Sequence, residues 1–206
     1  MSPQETAFDH LRVIRTLLER SQIYRTVSAP AALVGGTLAV VLSARFAFKV
    51  DASTFVIAWL AMLVITAKLN LLLLYQAAAQ SGRPLVSQEF KHAVQAMSPA
   101  FVGFGLLGLL TAWKREELAL ASIIWVMGYG CGMLAASGFS PRSIKRLGSG
   151  FLAMGVVFTT IWSMPERWSS YLTDGQFSSL VMGSTFGVLH IGYAAAVFLR
   201  PSKSAL

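Results

Sequence analysis

Charge is what this 206-residue chain has least of: only 13% of its residues are Asp, Glu, Lys or Arg. Soluble domains carry about 25%, so too little polar surface is present to cover a water-facing globule. Acid is scarcer still, with nine carboxylates in all, each outside the long apolar runs. An intramembrane aspartyl protease or a carboxylate proton relay therefore has nothing to work with. The single cysteine, Cys131, excludes an intramolecular disulfide and any CxxC metal or redox motif. GxxxxGK[ST], HExxH and clustered metal-ligand spacings are absent too.

What the chain has instead is hydrocarbon. Apolar residues make up 55% and the mean hydropathy is +0.61. A helix needs about 20 mainly apolar residues to cross a hydrocarbon core of about 30 Å. Six stretches qualify, near Ser28–Ala47, Phe55–Gln76, Ser98–Trp113, Leu118–Ser137, Leu147–Met164 and Phe177–Leu199. The expected fold class is all-α, a polytopic bundle of six transmembrane helices filling residues 27–199. Residues 1–26 form a leading segment and 200–206 a tail. The third stretch is short and can begin earlier through Val94 and Met97. Prolines Pro30, Pro99 and Pro141 follow serines at or near helix starts, where a missing N–H costs nothing.

Lys and Arg alternate unevenly across the connections. Eleven lie on the side of the termini and the second and fourth loops, five on the opposite side, and Lys68 lies within a span. The positive-inside rule then places both termini in the cytoplasm. The acidic residues Glu5, Asp9 and Glu19 precede the first apolar run, so a short basic signal peptide is not expected. Residues 7–20 read as an amphipathic helix, with Ala7, Leu11, Ile14, Leu17 and Leu18 on one face. Arg12, Arg15 and Arg20 on the other would meet anionic lipid headgroups; packing on the bundle rim or on a second copy fits the pattern equally. The net charge of +8 is spread over loops, which reads as topology and not as a nucleic-acid surface.

Candidate interior residues are few. Gly128 and Gly132 form one GxxxG pattern and Gly183 and Gly187 another, so the fourth and sixth spans are expected to meet through these faces. His190 shares the glycine face at helical spacing and should point inward, as a hydrogen-bonded structural residue ahead of a ligand or catalytic one. Ser137 in AASG with His190 does not make a rhomboid-type protease, since the serine closes its helix and Ala135 stands where glycine is needed. Haem is disfavoured because only one of three histidines lies within a span, and no cofactor or metal is expected. Lys68 is the costliest residue. Its expected place is the bundle interior near Asn70, Tyr129, Cys131, His190 or Tyr193, against the alternative of snorkelling to a headgroup. Counted from Phe55, Leu118 and Phe177, Lys68, Cys131 and His190 fall at one depth.

IRTLLERSQIYRTVSAPAALVGG at the start, WVMGYGCGMLAASGFSPR in the fourth span and FGVLHIGYA in the sixth together resemble a group of uncharacterised bacterial six-span inner-membrane proteins with no established activity. The resemblance implies a bacterial cytoplasmic membrane and six helices, and carries no catalytic residue. The leading functional expectation is a non-enzymatic accessory, scaffold or envelope-sensing protein, with a membrane protein partner or a homo-oligomer. A small transporter or channel for an anionic or amphiphilic solute, using Lys68 in an interior cavity, is the alternative. A membrane enzyme acting on lipid or quinone through His190, Tyr193 or Cys131 comes third.

Overall fold

A computed structural model describes residues 29–48, 50–80 and 88–199. The amphipathic segment expected over residues 7–20, with Arg12, Arg15 and Arg20, and the tail 200–206 lie outside the described residues. Among the described residues all regular structure is helical, and six helices are long and apolar enough to cross a membrane. They are α1 (Ala29–Phe46), α2 (Ala52–Gln80), α3 (Gln88–Lys114), α4 (Leu118–Ala135, closed by a 3-10 turn at Ala136–Gly138), α5 (Arg142–Trp162) and α7 (Asp174–Phe198), with a short α6 (Pro165–Trp168) before the last. The protein is a multi-pass membrane protein.

Two boundaries differ from the sequence expectation. The third span starts a full ten residues before Ser98, and Pro99 sits in its interior. Proline removes the N–H that would bond to the carbonyl four residues back, here that of Gln95. Ser98 Oγ donates to that carbonyl at 3.1 Å, the kind of repair that lets prolines persist within membrane helices. The sixth span starts at Asp174, and its middle, Gly183–Leu189, is π-helical.

α4 is the centre: 56% of its most apolar window is buried, against 11% for α2 and 6% for α3. Glycines set where it touches its neighbours. Side chains at Gly128 and Gly132 would collide with Phe104 and Phe101 of α3. A Cβ at Gly155 of α5 would lie 2.7 Å from Met127. On the far side, α1 lies along α7: a Cβ at Gly36 would come 2.9 Å from the Gly187 carbonyl oxygen, and one at Gly183 2.9 Å from Ser43 Cβ. The two GxxxG patterns therefore do not meet each other, contrary to expectation. Each brings in a different helix, α3 onto α4 and α1 onto α7.

The rim formed by the first, third and fifth connections is tied by aspartates. Asp51 Oδ1 accepts from Ser53 Oγ and from the Thr54 N–H, and these bonds hold its carboxyl well below the usual carboxylate range. Thr173 and Gln176 make a reciprocal capping box at the start of α7. Between them, Asp174 reaches across to another helix, its Oδ2 accepting the N–H groups of Leu118 and Ala119 at 2.7 and 3.1 Å. Orphan N–H groups at the start of α4 are thus satisfied by a different span. Asp174→Ala is expected to cost about 0.5–2 kcal/mol, and Asp174→Asn clearly less, since the amide oxygen still accepts. Chemical unfolding in micelles checks that order.

Candidate functional site

Four helices place aromatic groups around one hydrogen bond. Tyr129 stands on the face of α4 turned toward α7, and its hydroxyl lies 3.0 Å from His190 Nε2. His190 Nδ1 lies 3.0 Å from the Phe186 carbonyl oxygen. A carbonyl only accepts, so Nδ1 carries the proton; the neutral ring then presents Nε2 as acceptor and Tyr129 donates. Around the pair, Phe101 of α3 stacks on Tyr129 at 5.7 Å and Phe151 of α5 tilts against it at 4.6 Å. Phe186 meets Tyr129 edge-on at 5.1 Å. Both imidazole nitrogens are engaged and the surrounding volume is filled by rings. The arrangement can lock α4, α5 and α7 together; a metal on His190 would have to displace Tyr129 or Phe186.

The π-helical segment explains how His190 arrives there. In a regular α-helix, four residues overshoot one turn by about 40°, so a row at spacing four winds off its neighbour. The wider i→i+5 bonding of a π segment turns the chain less per residue, so through Gly183–Leu189 such rows wind back against the drift of the flanking α-helix. Gly183 and Gly187 then stay along α1, with Ile191 reaching Gly36, while Phe186 and His190 stay toward Tyr129. The backbone N–H of His190 goes to the Gly187 carbonyl, and the imidazole takes the Phe186 carbonyl. His190 is inward, as expected, but beside the glycine face and not on it.

Lys68 does not join this cluster, and this corrects the sequence reading. It is exposed, because α2 turns Phe55, Val56 and Trp59 inward and Thr66 toward Gly35 of α1. Two residues beyond Thr66, Lys68 lies about 200° around the helix. Asn70, one turn past Thr66, is half-buried, and its Oδ1 has no hydrogen-bond partner among the described residues. Cys131 is free and half-buried, about 200° from Tyr129 around α4. Tyr193 is 9% exposed, in the core on the turn after His190. The shared depth of Lys68, Cys131 and His190 therefore brings no site together. Of the sequence candidates, the structure hydrogen-bonds Tyr129 to His190. The rings of Phe101, Phe151 and Phe186 were not singled out, although Phe186 and His190 stand at helical spacing four.

A separate cavity of about 660 Å³ opens at the aspartate-tied rim, lined by Phe46, Asp51, Trp113, Glu116, Leu118 and Asp174 among others. Both aspartates there are already committed to capping helices. No protein-family model matches the chain, and neither does any curated protein or solved structure.

Proposed function

We propose that this protein is a non-enzymatic accessory or scaffold subunit of a bacterial cytoplasmic membrane, joined to a partner membrane protein through the face of α2 that carries Lys68. The exposure of Lys68 carries this reading. It lies two residues from the middle of a 29-residue helix, and with α2 centred in a core of about 30 Å it is about 12 Å from the nearer aqueous boundary. Helical side chains lean toward the N-terminus, here away from that nearer boundary. A cation in hydrocarbon costs about 2.5–3.5 kcal/mol, which a carboxylate or polar group on a neighbouring helix offsets. The light burial of α2 leaves that face free for such a neighbour. In this reading both termini are cytoplasmic, as the uneven Lys and Arg distribution supports. The exposed position of Lys68 also removes the interior cation on which a transporter or channel reading stood.

The test is copurification from native membranes in mild detergent, wild type beside Lys68→Leu. Wild type should bring down a membrane protein with an Asp or Glu inside one of its spans, and Lys68→Leu should retain at least tenfold less. Equal recovery with both proteins would show that the lysine is served by lipid alone.

A further inference from the structure

We infer that the partner of the preceding reading, on which this rests, contributes one transmembrane helix packed lengthwise along α2, its carboxylate facing Lys68 and fixing the register of the pair. Lys68 lies on a line with Ile57, Ala61, Val64, Leu71 and Tyr75, at spacings of four and three in strict alternation. All six are exposed. A mean spacing of about 3.5 drifts only slowly around an α-helix, so such a line forms the seam of a left-handed helix pair crossing at about 20°. From Ile57 to Tyr75 the seam runs about 27 Å, nearly the full hydrocarbon thickness of about 30 Å. Many such lines could be drawn on a helix apolar all round, and the fold selects this one. It lies opposite the side that packs, where Phe55, Val56 and Trp59 turn inward and Thr66 meets Gly35 of α1. It also carries the one charge of α2.

Charge decides what sits on the seam. At the depth of Lys68 a lipid-facing chain crosses as a helix, because irregular backbone there would leave its polar groups unpaired. A second copy of this protein does not supply the counter-charge. All nine carboxylates lie outside the long apolar runs, and Asp51, Glu116 and Asp174 stand together at the rim. Two copies paired in parallel through the seam would set Lys68 against Lys68, and like charges repel. The occupant is therefore a different protein. One charged group in an otherwise apolar seam lowers the stability of a helix pair but specifies its register; leucine at position 68 would let α2 pair in several. Ala61 stands two turns from Lys68 on the same seam. Small residues let helix backbones approach in lipid, so the pair is closest at Ala61 and the partner's acid lies two turns along from that contact.

Photo-reactive benzoylphenylalanine, placed singly at Ile57, Val64, Leu71 or Tyr75 of the full chain in native membranes, tests the seam. Each position should cross-link the one protein that copurifies, at least tenfold more than two exposed controls. These are Leu63, about 140° around α2 from Lys68, and Leu106 of α3, which should label lipid. Ala61→Phe should lower recovery of the partner at least fivefold, and Leu63→Phe should leave it unchanged. Lys68→Glu should abolish recovery, and lysine in place of the partner's carboxylate should restore it. A partner lost with Lys68→Leu but labelled as well from Leu63 or Leu106 would overturn the seam and leave the partner reading standing. Unchanged recovery with Ala61→Phe would do the same. Adducts between two copies of this protein from the seam positions would overturn the separate occupant. Recovery of no protein at all would sink the partner reading, and the seam with it.

Discussion

Gly187→Leu is expected to lower the unfolding free energy in micelles by about 1–3 kcal/mol or more, the range for overfilling a packed contact. A Cβ at that position would come 2.6 Å from Val40 Cγ2 and 3.5 Å from the Gly36 carbonyl oxygen. Three further carbons can be admitted only by moving α1 away from α7. Gly192→Leu is the control on the same helix, because nothing lies within 4 Å of its Cβ position; it should change stability by less than about 0.5 kcal/mol. The partner of the glycine face can be read independently. With Cys131 replaced by serine, Val40→Cys with Gly187→Cys should oxidise to a disulfide, since the two side chains project into contact. Gly132→Cys with Gly187→Cys should not. Cross-linking of the second pair instead of the first would restore the fourth-to-sixth glycine interface that the structure replaces.

The next largest effect is expected at the tyrosine–histidine pair. His190→Leu strands the Tyr129 hydroxyl in a ring-lined interior and should cost about 1–3 kcal/mol, the penalty for an unsatisfied buried polar group. Tyr129→Phe removes the donor and leaves Nε2 without its partner, a loss of similar kind. When both partners go together, neither polar group is left behind, so the double variant should cost less than the two single losses added. A coupling of about 0.5–3 kcal/mol between them is expected from a double-mutant cycle in chemical unfolding. Strict additivity would mean that the hydrogen bond at 3.0 Å does not hold the bundle together, and would reopen a chemical role for His190.

Several parts of this arrangement were legible in the amino-acid sequence. Six spans follow from run lengths, and the inward place of His190 was read from its helical spacing to Gly183 and Gly187, although it stands beside their face and not on it. The Thr173–Gln176 capping box is a local pattern of two residues three apart, but the expected start at Phe177 passed over it. The partners of the glycine patterns were not legible, because GxxxG states only that some backbone comes close. The face of Lys68 was hidden for a related reason. α2 is apolar around its whole circumference, so no stripe marks its inward side, and a position two residues from Thr66 reads the same as one four residues away.

The sequence by itself determined that this is a helical membrane protein with six crossings and a scarcity of buried charge, because length and hydropathy suffice for transfer into a bilayer. Only the tertiary structure decided which helix lies against which, that Tyr129 meets His190 and that Lys68 faces outward. In water, the contrast between apolar and polar faces announces how a helix will pack. Lipid tails are as apolar as leucine, so within the membrane that contrast disappears. The choice of neighbours then passes to shape, to glycines that admit a backbone and rings that fill the space between, and such fits exist only between elements far apart in the chain.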